Sequence, residues 1–555
     1  MSQITGGHLV AKYLKEIEGV EAVFTLSGAH IENILDGLNE FGIRSVDVRH
    51  EQAASMMAHA WSLYTGKPGV CLVTAGPGFT NALTGIANAF LDNAPLVVLC
   101  GRHPLRDDLK GALQEMNQID MVKSVVKWSA TCHDIKRIPE YLSIAFRQAV
   151  EGRPGPVFLE LPPDILSIAV DLKSVDIPKR RTLKTSVTPV KEDLKAAAKL
   201  IDQAKRPLLI GGSGVGFSEC GKQVAAFAEK TGIPFALLNN GRGALPDSHP
   251  RSINDGGFTA VMAALPQVDL VIIVGLRLNW VMESGQTFPD AKVVRIDIDP
   301  TEIDRNRTSD VGLAGDAGQI LDLLTPMVAS KDRSQWEKDL RAAYGAFLVT
   351  EREQRETPSY PIHPNRLVAQ IQKVVGEDAY YVVDGGDTSY YGSAGFSSIH
   401  KAGVTAPASS LLGCIGTGVP FALAAKIAHP NKPVILLNGD GSFGFNGMEF
   451  DTAVRLNIPI VCVVNNDCAW GMIKHAQEMS IGPERCTCSE LGTRHYEKMV
   501  EALGGYGEFV EKDEDIVPAL KRAIESGKPA CVNVMTDCTA VSPATVVFYQ
   551  TLSDF

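Results

Sequence analysis

The sequence predicts an α/β protein of three doubly wound, parallel-sheet domains. Apolar runs of strand character alternate with segments of helical periodicity along most of the chain. Glycine turns follow several of those runs, and the first and last segments repeat one strand, glycine turn and helix pattern.

In the first segment, residues 1–180, Leu9, Val10, Tyr13, Leu14 and Ile17 share one face of a helix predicted from Gly7 to Ile17. Val20 to Leu26 reads as a strand, and Ser27 to His30 as the turn opening the next helix. Ser45 to Val48 leads through Arg49-His50-Glu51 into a helix carrying Ala53, Met57 and Trp61. Val70 to Thr74 leads through Gly76-Pro-Gly78 into another, and Leu96 to Cys100 is a fourth strand. Ligands of such sheets bind beyond the carboxyl ends of the strands, where His30, Glu51 and the Gly76–Gly78 turn fall. Pro162-Pro163 and the stretch Asp176 to Lys191 read as a linker.

The second segment, 190–345, has a strand and glycine loop over Pro207 to Gly216 and strands at Leu270 to Gly275 and Val293 to Pro300. Its Gly211-Gly-Ser-Gly-Val-Gly216 is a weak dinucleotide signal, and a tight strand-to-helix connection is the favoured reading. Glu351 to Pro364 reads as a second linker. The third segment, 360–555, has strands at Ala379 to Val383, Val434 to Leu437, Ile460 to Val464 and Ala530 to Val534.

Composition narrows the function. The 555 residues are 45% hydrophobic and 21% charged, as in a globular chain with a large core. A formal net charge of −11 argues against a general binder of nucleic acid or anionic membrane, but leaves room for a local phosphate site. No signal peptide and no apolar run of membrane-helix length is visible, so a cytoplasmic location is expected. Of 11 cysteines, the close pair Cys486-Thr-Cys488 lacks a second pair at zinc spacing.

The most informative stretch is Val434-Ile-Leu-Leu-Asn-Gly-Asp-Gly-Ser-Phe443, read with Val463-Val-Asn-Asn-Asp467. Glycine lets backbone N–H groups approach an anion closely. Asp440 and Asp467, at the ends of two strands, offer hard oxygen ligands suited to Mg2+ or Ca2+ bridged to a phosphorylated ligand.

Leu423-Ala424, Pro430, Ile435, Leu437 and Gly439-Asp-Gly-Ser442, closed by Asp467, resemble the diphosphate-binding signature of thiamine-diphosphate enzymes. The resemblance spans the chain and implies pyrimidine-binding, central and pyrophosphate-binding domains, in that order. Within that superfamily the chain looks most like the benzaldehyde lyases, through Ile4-Thr-Gly-Gly7, Gly28-Ala-His30, Arg49-His-Glu51, Thr74-Ala75, Gly78-Phe-Thr-Asn81, Leu113-Gln114, Glu449-Phe-Asp-Thr452 and Trp470-Gly471. Acetolactate-synthase-like enzymes and 2-hydroxyacyl-CoA lyases share much of this framework. Gly275-Leu-Arg-Leu-Asn-Trp280 resembles the acyl-CoA lyases.

The resemblance implies thiamine diphosphate with Mg2+ or Ca2+. Asp440, Asp467 and the Ala469 carbonyl would hold the metal. Most family members carry Asn where Asp467 aligns, so Asn466 is the alternative ligand. Gly386, Asp387, Gly439, Gly441, Ser442 and the backbone at Gly471-Met472 would line the phosphates. Glu51 would bond the pyrimidine nitrogen, promoting the imino form whose exocyclic nitrogen generates the C2 ylide. Ile415 would be the wedge that bends the cofactor, and the Gly413 carbonyl would receive the amino group.

His30 would relay protons, Gln114 would bond a developing alkoxide, and Ala29, Ser389, Ser409 and Met472 would complete the pocket. The pocket histidine, tyrosine and small alanine of benzaldehyde lyase align here with Ser409, Ser389 and Met472, so its chemistry differs. The expected function is a lyase or carboligase acting on 2-hydroxyketones and aldehydes through the ylide and an enamine. A 2-oxoacid decarboxylase of the benzoylformate type, an acetolactate-synthase-like enzyme and a 2-hydroxyacyl-CoA lyase are the alternatives. The resemblance also implies a homo-oligomer, at least a dimer and commonly a dimer of dimers.

Overall fold

The computed structural model describes residues 3–179, 187–254 and 257–553; part of the predicted linker Asp176 to Lys191 lies outside them. Short strand β1 (Gln3–Thr5) precedes a six-stranded parallel sheet of β2 (Ala22–Thr25), β3 (Arg44–Asp47), β4 (Gly69–Val73), β5 (Leu96–Gly101), β6 (Trp128–Thr131) and β7 (Pro156–Leu161). Their order across the sheet is β3-β2-β4-β5-β7-β6. β8 (Ala169–Asp171) pairs antiparallel with β1.

The second sheet is also parallel, with β9 (Pro207–Gly211), β10 (Phe235–Leu237), β11 (Leu270–Val274), β12 (Lys292–Asp297) and β13 (Val311–Ala314) in the order β10-β9-β11-β12-β13. The third holds β14 (Tyr380–Asp384), β15 (Val404–Thr405), β16 (Val434–Gly439), β17 (Val461–Asn466), β18 (Tyr506–Val510) and β19 (Ala530–Met535). Its order, β15-β14-β16-β17-β19-β18, repeats that of the first sheet strand for strand. The repeat read from Gly69–Asn81 and Pro433–Phe445 is therefore a repeat of whole sheets, with β4 equivalent to β16. All three sheets match the predicted fold class.

By their contacts the residues form two compact units. One comprises Met1–Thr185, Ser410–Pro430 and Asn446–Ile458, and the other Ser186–Ser409, Asn431–Phe445 and Pro459–Phe555. In the first unit the helix Gly6–Glu16 buries Leu9, Val10, Tyr13 and Leu14, as its periodicity predicts. The helix Glu51–Thr65 is apolar nearly all round and is buried on every side, ending at Gly66 in the left-handed region (φ 69°). The helix Gly418–Ala428 packs on it.

One expectation changes. The stretch from Glu351 is not a linker at first but part of the helix Val349–Glu356, which ends just before Thr357-Pro358. Glu351 is buried and accepts the Tyr390 hydroxyl at 2.7 Å. In the second sheet, the glycine-rich loop serves close packing. A Cβ on Gly214 would lie 2.6 Å from Gly275 Cα, and one on Gly216 would lie 2.4 Å from the Asn240 carbonyl.

Candidate active site

In the first unit, the candidate residues gather beyond the carboxyl ends of β2 and β4, neighbours at which the strand order reverses. Glu51 opens its helix and is buried, with Asn81 Nδ2 donating to Oε2 at 2.9 Å. Gly78 faces the other oxygen, and a Cβ there would stand in ordinary contact with Oε1 at 3.5 Å but press on Thr74 Cγ2 at 2.8 Å.

His30 sits in a short 3-10 turn (Ala29–Ile31) and is buried, its Nδ1 3.1 Å from Thr74 Oγ1. Gly101, the last residue of β5, makes room for it: a Cβ there would lie 2.6 Å from His30 Cβ. Burial lowers the His30 pKa, and nearby His103 lowers it further. The ring is thus neutral at pH 7, one nitrogen already engaged.

Gln114 has left-handed backbone (φ 59°) and packs against Gly76, where a Cβ would come within 2.8 Å of its own. Its buried Oε1 has no partner among the described residues. The loop carrying it is tied by Glu115, which accepts the N–H groups of Leu109, Gly111 and Ala112. His103, Asp108 and Glu115 are spaced for a metal, but the Arg102 guanidinium already lies 2.8 Å from Asp108.

A residue that sequence reasoning missed is Gln118. It is buried, accepts the Gly76 N–H at 2.9 Å and donates to Glu160 at 2.8 Å, fixing the Gly76–Gly78 turn. Only its place four residues after Gln114 pointed to it. Ile415 is half-buried, while Ala29 and Gly413 are exposed, the latter with left-handed backbone (φ 64°).

In the second unit, the ends of β14, β16 and β17 carry the remaining candidates. Gly385 and Gly386 follow β14, and Asp387 starts the next helix. Gly439 ends β16, and Asp440 begins the helix Asp440–Asn446. A Cβ on Gly441 would strike the Trp470 ring at 2.5 Å, so glycine is required there. Ser442 is buried beside Gly385.

The Asp440 and Asp467 carboxyl groups are buried within hydrogen-bonding reach of one another. Burial raises both pKa values, and for Asp440 the charge of Asp467 raises it further. Among the described residues no N–H or hydroxyl donor reaches Asp440 Oδ2, whereas Asp467 Oδ1 accepts the Ala469 N–H at 3.1 Å. Asn466, the alternative ligand, is fully committed elsewhere. Its Nδ2 donates to Asn533 at 2.9 Å, and its Oδ1 accepts the Cys468 N–H at 3.1 Å.

Gly471 opens the helix Gly471–Ile481, and a Cβ on it would meet Asp467 Oδ2 at 2.3 Å and Asp387 Oδ2 at 3.5 Å. Two carboxylates thus meet at this helix start, with Asp440 beside one of them, and among the described residues no lysine or arginine is bonded to this acidic group. Met472 packs over Gly386, with Sδ 3.2 Å from a Cβ placed there. Ser389 does not present a free hydroxyl, because Oγ donates to the Gly385 carbonyl at 2.6 Å. Ser409 is exposed at the end of the turn Pro407–Ser409.

Two parallel sheets of the same strand order, each with polar or acidic groups gathered at its switch point, define a class of α/β protein that binds ligands there. The chain matches three family descriptions in order. These are "Thiamine pyrophosphate enzyme, N-terminal TPP binding domain" over residues 4–121, the "central domain" over 194–324 and the "C-terminal TPP binding domain" over 385–534.

It is 35% identical to the acetolactate synthase large subunit of Mycobacterium tuberculosis over 97% of this chain and 96% of that one. It is 31% identical to 2-hydroxyacyl-CoA lyase 1 of Mus musculus, over 96% and 94%. With a probable acetolactate synthase large subunit of Methanocaldococcus jannaschii the identity is 30%, over 97% and 93%. The chain belongs to the thiamine pyrophosphate enzymes. These relatives stand with the acetolactate synthase and acyl-CoA lyase alternatives and not with the benzaldehyde lyases first expected.

Proposed function

We propose that this enzyme makes or breaks a C–C bond beside a carbonyl, working as an acetolactate-synthase-like carboligase on 2-oxoacids. The observation that carries this reading is the full-length similarity to an acetolactate synthase, supported by the pocket. Met472 covers Gly386, and Ser389 is tied to the backbone. The polar pair and small residue of a benzaldehyde lyase pocket are therefore missing. A 2-hydroxyacyl-CoA lyase is the second reading, favoured by a comparable full-length similarity.

Bound thiamine diphosphate would supply a nucleophilic carbon and an electron sink. The buried acidic pair fits the divalent ion that accompanies it. Two adjacent carboxyls with an unpartnered oxygen call for a cation, and the diphosphate brings further negative charge. Asp440, Asp467 and the Ala469 carbonyl would hold Mg2+, and the Gly439–Ser442 turn, Gly386, Asp387 and the Gly471 helix start would take the phosphates.

Glu51, fixed by Asn81, would hold a proton at the pyrimidine nitrogen, with Gly413 and Ile415 setting the ring's posture. Neutral His30 would exchange a proton with the substrate oxygen through Nε2, and Gln114 would donate to the same oxygen through its amide. Ala29 and Ser409 would bound the substrate space.

All eleven cysteines are free, in keeping with a reducing, cytoplasmic setting. Among the described residues no helix is long and apolar enough to cross a membrane. The three-domain division at 1–180, 190–345 and 360–555 and a homo-oligomeric state are part of the same proposal.

The test supplies purified protein, thiamine diphosphate and Mg2+ with pyruvate, benzoylformate, benzoin or a 2-hydroxyacyl-CoA in separate reactions. Acetolactate and CO2 from pyruvate are expected. Cleavage of the acyl-CoA without reaction of pyruvate would establish the second reading instead.

A further inference from the structure

We propose that Glu449 is a positioning residue for Glu51, its carboxylate holding the two backbone N–H groups that lead into the Glu51 helix. The proposal deepens the functional reading and rests on it. Glu449 stands at the start of the helix Glu449–Arg455 and is only 1% exposed. Oε1 accepts the N–H of Arg49 at 3.0 Å and of His50 at 3.1 Å, and Oε2 accepts Arg49 N–H at 3.1 Å. The Thr452 hydroxyl donates to Oε2 at 2.6 Å, which fixes the rotation of the carboxylate.

A buried carboxylate is costly unless each of its oxygens is satisfied, so a residue serving only to fill space here would be apolar. What this carboxylate satisfies are donors that no strand or helix takes up. Arg49 and His50 lie between β3 and the helix Glu51–Thr65, and His50 is that helix's N-cap. The N–H groups around a helix start lack partners within the helix. Glu449 supplies partners for those immediately before it.

Glu51 is consequently held from two directions. Asn81 fixes the carboxylate, and Glu449 fixes the backbone from which the side chain springs. Misplacing a reacting group by about 1 Å can cost on the order of 100-fold in rate. Glu449→Gln keeps size and shape but removes the charge and replaces one accepting oxygen by an N–H donor, so at least one of the three N–H bonds is lost and those left are no longer charge-assisted. It therefore loosens the Arg49–His50 turn while leaving the sheet intact. The Glu449-Phe-Asp-Thr452 stretch, without a role from sequence alone, gains one: Thr452 orients Glu449, and Glu449 orients Glu51.

The experiment compares wild type, Glu449→Gln, Thr452→Val, Glu51→Gln and the Glu449→Gln/Glu51→Gln double variant. Hydrogen exchange in the cofactor-free protein should show roughly ten-fold lower protection at Arg49 and His50 in Glu449→Gln, with β5 unchanged. In the loaded enzyme, exchange of the cofactor C2 hydrogen should slow roughly 30-fold, while cofactor Kd stays within about three-fold. Thr452→Val should shift both readouts in the same direction but less, and serves if Glu449→Gln does not fold. In the Glu51→Gln background, Glu449→Gln should add nothing.

Unchanged protection at Arg49 and His50 overturns the proposal. So does a loss that multiplies with that of Glu51→Gln, or a loss that merely follows Tm. If Glu51→Gln itself leaves C2 exchange unaltered, the functional reading fails instead, and the amide protection still decides what Glu449 holds.

Discussion

Asp387 and His475 form a buried pair in which Nδ1 lies 3.1 Å from Oδ2, while Nε2 lies 3.0 Å from the Cys538 carbonyl. Both neighbours are acceptors, so the ring is saturated only as imidazolium. Burial works against that charge, but the bonds to Asp387 and Cys538 outweigh it and raise the His475 pKa. Asp387 also accepts the Ser542 N–H at 3.3 Å and the Thr545 hydroxyl. One carboxylate thus anchors the start of the C-terminal helix Pro543–Ser553.

Replacing Asp387 by Asn should release that helix. Because the folded His475 pKa is raised, its contribution is complete below about pH 6.5 and is lost as pH rises through the folded value. Hydrogen exchange of Pro543–Ser553 should therefore accelerate with pH in the wild type beyond the intrinsic chemical rate. The variant should start high and lack that extra rise.

Asp440→Asn should separate stability from cofactor binding. A carboxyl with a raised folded pKa leaves its stability intact below the unfolded value near 4 and erodes it as pH climbs. The cofactor-free variant should gain on the order of 1 kcal/mol at pH 8 relative to wild type, because one buried charge is gone. It should also lose most of the Tm increase that Mg2+ and thiamine diphosphate confer. Calorimetry with and without the pair reads both.

His59 gives an acid limb of opposite origin. It is wholly buried in the helix Glu51–Thr65, and burial pushes its pKa down to about 3. Asp92 Oδ2, 3.5 Å from Nε2, is too far for a good hydrogen bond and does not rescue the charge. The unfolded chain therefore binds a proton between about pH 6.5 and 3 that the folded chain refuses. Stability should fall across that window by up to about 1.4 kcal/mol per pH unit. Urea titrations of His59→Leu should show a shallower acid limb.

Gly76→Ala should damage the substrate side without touching cofactor binding. The position has φ 61°, and an added Cβ would lie 2.8 Å from Gln114 Cβ. Left-handed backbone costs about 1 kcal/mol for alanine, and Gln114 must also move. A raised KM with unaltered cofactor Kd is expected.

Much of this was legible in the sequence, for identifiable reasons. Strand runs such as Val434–Leu437 are buried on both faces and read as unbroken apolar stretches, and glycine turns mark their ends. Asp440 and Glu51 stand out as candidates because short motifs record close backbone approach and helix starts. Gln118, Glu449 and His475 were assigned no role, because each acts on a partner remote in sequence. Glu449 and Arg49, for example, are 400 residues apart. The helix at Val349–Glu356 was read as a linker because its charged surface hides the buried contact of Glu351 with Tyr390.

The loop that carries Gln114 closes on itself. Glu115 gathers the N–H groups of Leu109, Gly111 and Ala112, and His103 grips Asp108 at 2.5 Å, all between residues 103 and 115. Its shape is thus set mainly from within, while the strands beneath supply only its two ends. Such a segment is a cassette. A change inside it would alter what stands beside Gly76 without passing through the sheet.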